Sequence, residues 1–269
     1  MKIYMLCDME GVSGLMSLSH TETTNGGGKW RYPEGRKLMM LDINSAAAAA
    51  LEAGVDELVV CDTHSAGDNV VWEEMLADPR IRYETPNAGY MLPSINETFD
   101  GLFLLGHHAK AGTPDAFLDH TMSSASIFDV TINGTSVGEM GLETCYAGHW
   151  NVPLIMAQGD EACCNEAQEQ FPGVVTARVK RAIGRNRASG SAPALARQLT
   201  AQKVREAIAV ARGKRLKPFK PDLPMRVRVT YCRTDMADAA AARPGIRRVD
   251  GRTVEAIVER QCDVWRWRM

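Results

Sequence analysis

Three short apolar runs each give way to a cluster of carboxylates and imidazoles. Lys2–Cys7 ends in Asp8-Met9-Glu10-Gly11, Glu57–Cys61 in Asp62-Thr63-His64-Ser65, and Gly101–Leu105 in Gly106-His107-His108-Ala109. Open α/β sheets gather their ligands at the carboxyl ends of strands, which is where these clusters would fall. Asp8 and Glu10 would project to one side of an extended strand end, and two like charges side by side need a cation or a shared proton. His64 adds a nitrogen donor, and Glu139 adds a further carboxylate. His107 and His108, as neighbours on a strand exit, should point opposite ways; one of them faces the cluster, and the spacing leaves both open. Mixed histidine and carboxylate donors suit zinc, and less exclusively manganese or cobalt. The set exceeds the three or four protein ligands of a mononuclear site. A carboxylate bridging two metals about 3.5–4 Å apart, with a water between them, would use all of it.

Each of these residues has a plainer explanation on its own. Asp8 or Glu10 singly could be a helix cap or a surface charge, and a lone histidine after a strand is usually structural. The coincidence at three strand ends is what carries the reading. His20, in the polar stretch Ser17–Gly28, reads as an exposed loop residue, and His149 as the end of a helix. Gly26-Gly27-Gly28-Lys29 lacks the glycine spacing and the Ser or Thr of a phosphate loop and reads as a flexible loop near the site. Glu73-Glu74 and Arg247-Arg248 read as solvated charges.

The elements that must position these side chains follow from the same pattern. The three runs, with a fourth at Val152–Gln158, are continuous rather than alternating, as in strands covered on both faces. Between them, Pro33–Gly54 predicts a long helix with a proline near its start, an alanine run and a closing glycine. Asp160–Gln170 predicts another. Strand–helix alternation implies an α/β fold with a mostly parallel sheet and helices on both faces. Ser126–Ile132 alternates and meets Asn133-Gly134, a hairpin turn signal, so a hairpin should deliver Val137–Glu139. Past Val179 the chain becomes basic over Arg178–Arg187. A helix over Pro193–Arg212, a proline-rich linker over Lys217–Pro224, a strand over Met225–Thr230 and a turn at Asp250-Gly251 follow. The expected organisation is a catalytic α/β domain over residues 1–180 and a smaller C-terminal α+β domain over residues 181–269, a candidate for oligomerisation.

Composition bounds the function. The chain has 269 residues with 45% hydrophobic and 24% charged content and a formal net charge of -2, which points to an ordinary globular protein and away from nucleic acid. No apolar run reaches membrane-spanning length. Met1–Cys7 lacks the features of a signal peptide, so a cytoplasmic protein is expected. The seven cysteines are scattered with no CxxC pair, which argues against a disulfide scaffold or a cysteine zinc site; most should be buried small apolar groups.

Taken in order, Asp8-Met9-Glu10-Gly11-Val12-Ser13-Gly14, Asp62-Thr63-His64-Ser65, Gly106-His107-His108-Ala109, Thr113-Pro114 and Val137-Gly138-Glu139-Met140-Gly141 resemble the M55 family of D-aminopeptidases from dipeptide-transport operons. The similarity extends to Pro153, Gly159-Asp160, Pro244-Gly245 and Asp250-Gly251. The resemblance implies a dinuclear zinc site in which Asp8 bridges the metals, Glu10 and His64 complete one zinc, and His108 and Glu139 complete the other. It thereby selects His108 over His107. It also implies that His120, in Asp119-His120-Thr121-Met122, is the catalytic histidine, near the metals without being a ligand. It further implies self-compartmentalising assembly, a homodecamer of two stacked pentameric rings. The His108–His120 stretch is slightly longer, by about one residue, than the family pattern, and Arg260–Met269 is short, charged and tryptophan-bearing where a longer amphipathic helix is expected.

The reaction implied is metal-assisted hydrolysis of the first amide of a short peptide, with binding of the free amine restricting cleavage to the N-terminal residue. His120 would stabilise the oxyanion or protonate the leaving amine. Three rivals stand beside it: a related two-metal amidohydrolase or phosphoesterase, a nucleotide-binding domain holding magnesium, and an inactive binding homologue. The histidines argue against magnesium, and the intact ligand positions argue against loss of activity.

Overall fold

The computed structural model describes residues 1–21, 28–86, 91–214, 216–265 and 267. Strands run in chain order as β1 (Lys2–Cys7), β2 (Glu57–Asp62), β3 (Ile81–Glu84), β4 (Gly101–His107), β5 (Ile127–Ile132), β6 (Thr135–Ser136), β7 (Leu154–Asp160), β8 (Val175–Gly184), β9 (Arg187–Gly190), β10 (Met225–Tyr231), β11 (Ile246–Arg248) and β12 (Thr253–Val258). The helices are α1 (Gly28–Glu52), α2 (Glu139–His149), α3 (Glu161–Gln170), α4 (Pro193–Gly213) and α5 (Thr234–Ala241).

The larger sheet has the order β3-β2-β1-β4-β7-β8-β9. Its neighbours pair in parallel except β8 with β9. The order reverses between β1 and β4, so the carboxyl ends of β1, β2 and β4 meet at the kind of crevice where α/β sheets bind ligands. The strands here are buried on both sides, as their continuous apolar sequences require. Along β1, Ile3, Met5 and Cys7 join the core that includes α1 and α4. Tyr4 and Leu6 join a second core shared with α2 and the smaller sheet. The mixed α/β architecture is the expected one.

The smaller sheet, β11-β12-β10-β5-β6, is antiparallel. It combines residues 127–136 with residues 225–258, while β8, β9 and α4 belong with the larger sheet. Each sheet therefore draws on both sides of residue 180. Helix α2 shares the core of the smaller sheet and is buried from Glu139 through Gly148.

Several local readings are met. Asn133 and Gly134 have φ of 51° and 89°, and the hairpin they close leads directly into α2. Asp160 caps α3, its carboxylate accepting from the Cys163 amide at 2.9 Å. Five of the seven cysteines are buried, and all seven are free thiols. Among the described residues, no helix is long and apolar enough to cross a membrane.

Other readings are corrected. Helix α1 opens at Gly28, ahead of Pro33, which lies within it; the proline gives up a single backbone bond near the start of a long helix. His20 is not an exposed loop residue. It is buried in a one-turn helix over Leu18–His20, with Nδ1 against Ser17 and Nε2 3.4 Å from Glu34 of α1. Gly35 lets α1 come this close: a Cβ there would lie 2.2 Å from the His20 carbonyl oxygen. Of the glycine-rich stretch read as a loop, Gly26 and Gly27 lie outside the described residues.

Candidate metal centre

Backbone pairing brings the three clusters together. Cys7 pairs with Asp62 on one side and Leu105 on the other, and the Asp8 amide continues the ladder to the Leu105 carbonyl at 2.8 Å. The chain then turns, and the Gly11 amide donates to the Gly106 carbonyl at 2.6 Å. This crossing needs glycine on both chains. A Cβ on Gly11 would lie 2.1 Å from the His107 carbonyl oxygen, and one on Gly106 (φ +73°) 2.2 Å from that of Asp8.

Asp8 lies at the centre. Its Oδ1 is 2.9 Å from His64 Nδ1, which is also 3.2 Å from Glu10 Oε2. Its Oδ2 is 3.4 Å from His108 Nε2, which is 3.3 Å from Glu139 Oε1. The two oxygens of one carboxylate thus face two separate donor sets. His120 stacks on His108, with ring centroids 4.0 Å apart and planes 10° apart, and its Nε2 is 3.4 Å from Glu139 Oε1. The structure brings all six predicted residues into one site. Asp8, Glu10, His108 and Glu139 are buried, while His120 keeps a partly exposed edge.

The electrostatics express the crowding of carboxylates. Burial alone would raise the Asp8 carboxyl, but hydrogen bonds from His108 and His64 outweigh it and hold the pKa well below the usual carboxylate range. Burial likewise works against protonated histidines, yet Glu10 and Asp8 raise His64, and Glu139 and Asp8 raise His108, well above the ordinary value. Against its own burial, Glu139 is lowered to about 2 by His108 and His120. Protonated imidazoles here balance the carboxylates, the task a metal cation would take over.

The donor set fits metal ions on three further observations. Glu10 Oε2 and His108 Nε2 are buried, one on each side of Asp8, and are met only by ion-pair contacts of 3.2–3.4 Å within the cluster itself. The far nitrogens of both histidines are anchored: His64 Nε2 lies 3.1 Å from the Thr21 carbonyl and His108 Nδ1 3.0 Å from that of Ala109. This is the outer-shell arrangement that orients metal-binding imidazoles. Ligand atoms of Asp8, Glu10 and His108 lie within 4.8 Å of one another, as do those of His108, His120 and Glu139.

Supporting residues emerge that the sequence did not single out. Glu143 lies one turn after Glu139 on the same face of α2, and its Oε2 holds His107 Nε2 at 2.8 Å beneath the site. His107 thus points away from His108, as strand alternation requires. The Glu-x-x-x-Glu spacing is a signal that could have found Glu143. Asp62 accepts from the amides of His64, Asn69 and Val70, which shapes the turn bearing His64. His120 Nδ1 sits 2.8 Å from the Leu118 carbonyl, so this nitrogen carries the proton and Nε2 faces the site.

This geometry has close relatives. The D-aminopeptidase family model of the M55 peptidases matches residues 1–269. A D-aminopeptidase of Bacillus subtilis (strain 168) is 34% identical over 257 residues, covering 94% of this chain and 89% of that protein. The solved structure of the Zn-dependent D-aminopeptidase DppA from Bacillus subtilis, a self-compartmentalizing protease, matches with a TM-score of 0.92 at 30% identity, over 100% of this chain and 95% of that one. With a family match over its whole length, the chain belongs to the M55 family of D-aminopeptidases and is a metallo-aminopeptidase.

Proposed function

We propose that the chain is a dinuclear zinc enzyme that removes the N-terminal residue, a D-amino acid, from short peptides or amides. The observation that carries this reading is Asp8, whose two carboxylate oxygens face two donor sets. Asp8, Glu10 and His64 would hold one zinc, and Asp8, His108 and Glu139 the other. The metals, when bound, supply Lewis acidity and lower the pKa of water toward neutrality.

The protein's own groups do the rest. Buried Asp8, Glu10 and Glu139 would offset the charge of the metals they hold. The Leu118 carbonyl fixes the ring of His120 with its proton on Nδ1, so that Nε2 can take up a proton from the attacking water and pass it to the departing amine nitrogen. His120 is assigned this role rather than that of a ligand on the family resemblance, and its partly exposed ring edge beside Glu139 is consistent with access to substrate. Glu143 and Asp62 keep the surrounding turns in place.

The relative described as self-compartmentalizing supports an oligomeric assembly, and the decamer of two pentameric rings implied by the family resemblance is part of the proposal. The smaller sheet, with exposed Phe128 and Ile257, is the proposed assembly unit, and a cytoplasmic location is part of the same reading. The test is an aminopeptidase assay on paired D-Ala and L-Ala amides and dipeptides, with and without added zinc, alongside light scattering. Zinc-dependent release of D-Ala from a large homo-oligomer is expected. Equal cleavage of N-blocked peptides, or a stable monomer at micromolar concentration, would contradict the respective part of the reading.

A further inference from the structure

The basic segment Arg178–Arg187 contains one side chain unlike the others. Strand β8 is irregular at this point, its register with β7 shifting between Arg178 and Lys180, and while Arg178 and Arg181 face outward, Lys180 turns inward and is 3% exposed. Its Nζ donates to the carbonyl oxygens of Glu10, of Val12 at 2.9 Å and of Leu15 at 2.6 Å. All three belong to the turn that follows Asp8. An ammonium has three donors and no acceptor, so three converging carbonyls satisfy it completely.

The rest of that turn is tied from other directions. The Ser13 amide donates to buried Asp42 at 2.9 Å, and the Gly11 amide to Gly106. Lys180 also lies over the ring of Phe117, 4.5 Å from its centroid. The Phe117 amide is held by Asp160 at 2.8 Å, and the next residue, Leu118, supplies the carbonyl that orients His120. One side chain on β8 therefore touches both the turn that presents Glu10 and the loop that presents His120.

We propose that Lys180 is a positioning residue, gathering the Glu10–Leu15 carbonyls so that the Glu10 carboxylate reaches His64, and seating Phe117 so that His120 reaches Glu139. It rests on the dinuclear reading only for its effect on zinc; its effect on the two loops stands without metal. Outer-shell partners of metal ligands typically change affinity by about 10–100-fold when lost. Because Glu10 belongs to one of the two donor sets, the loss should fall on one zinc and largely spare the other.

The experiment compares the full-length wild-type chain with Lys180→Met, which keeps the apolar stem and removes the donors. Hydrogen exchange at the amides of residues 11–16 is measured on metal-free protein, and zinc affinity by chelator competition. Faster exchange in this turn with an unchanged far-UV spectrum, and about 10–100-fold weaker binding of one zinc, is expected. Wild-type protection with wild-type affinity for both zincs would overturn the proposal. If Lys180→Met does not fold, Lys180→Ala refolded with propylammonium provides the second comparison. Recovery of protection with propylammonium and not with n-propanol supports the positioning role, and failure to fold even with the amine overturns it. A wild-type chain that takes up only one zinc would contradict the dinuclear reading, while the metal-free exchange result would still decide the role of Lys180.

Discussion

Replacing His120 with alanine separates proton transfer from metal binding. The ring makes one hydrogen bond, to the Leu118 carbonyl, and stacks on His108 at 4.0 Å. Losing an aromatic stack of this kind costs about 0.5–1.5 kcal/mol. A disturbance of that size passed entirely to His108 would slow the reaction by about tenfold at most. Loss of a placed proton donor typically costs about 10²–10⁴-fold, or roughly 3–5 kcal/mol. The two ranges barely overlap, so the magnitude decides. His120→Ala should retain two zincs per chain, denature within a few degrees of wild type, and show kcat down about 10²–10⁴-fold with little change in KM. Metal analysis, thermal denaturation and steady-state kinetics on a D-Ala amide supply the readouts. An unchanged kcat would show that His120 moves no proton. Loss of one zinc together with activity would show that it is a ligand beside His108 and Glu139, which its position within their 4.8 Å cluster would permit.

Zinc uptake by the metal-free chain should release protons, because His64 and His108 are held protonated above the ordinary histidine range by the neighbouring carboxylates. Raised pKa values mean that protons compete with metal up to higher pH, so apparent affinity should climb as pH rises through and above neutrality, by about tenfold per pH unit for each proton displaced. Calorimetry in buffers of different ionisation enthalpy measures the release, and no release at neutral pH would contradict the assignment of both imidazoles. Gly106→Ala should lose both stability and zinc, since its φ of +73° already disfavours a side chain and the new Cβ would meet the Asp8 carbonyl oxygen at 2.2 Å. The left-handed conformation alone costs roughly 1–2 kcal/mol. A wild-type melting temperature with full zinc would refute this account of the crossing.

Much of the candidate site was legible because four of its residues follow strands whose apolar runs need no long-range information to recognise, while the choice of His108 over His107 and the role of His120 came from the family resemblance. Asp8, Glu10, His64 and His108 follow such runs directly, and Asn133-Gly134 announced the hairpin that leads to Glu139. What stayed hidden depends on distant pairing or on burial of single polar groups. Strand β5 pairs with β10 across the chain, Val130 opposite Val229, and no local pattern announces that partnership. Lys180 sits among exposed arginines, and only the irregularity of β8 after Arg178, where its register with β7 shifts, turns it inward. His20 was misread because a polar neighbourhood suggests solvent, whereas the close approach of α1 at Gly35 buries it. The start of α1 was misplaced because proline marks helix openings more often than interiors.

The central claim is that Asp8 bridges two zinc ions, and metal stoichiometry of wild type and Asp8→Ala tests it most directly. Both proteins would be reconstituted with zinc, freed of excess metal and analysed by mass spectrometry for zinc per chain, with D-Ala release assayed on the same samples. The account predicts two zincs per wild-type chain, and loss of most of both, with activity, in Asp8→Ala, since one carboxylate serves the His64 side and the His108 side together. A variant that keeps both zincs and its activity, or a wild-type chain fully active with one, would contradict it.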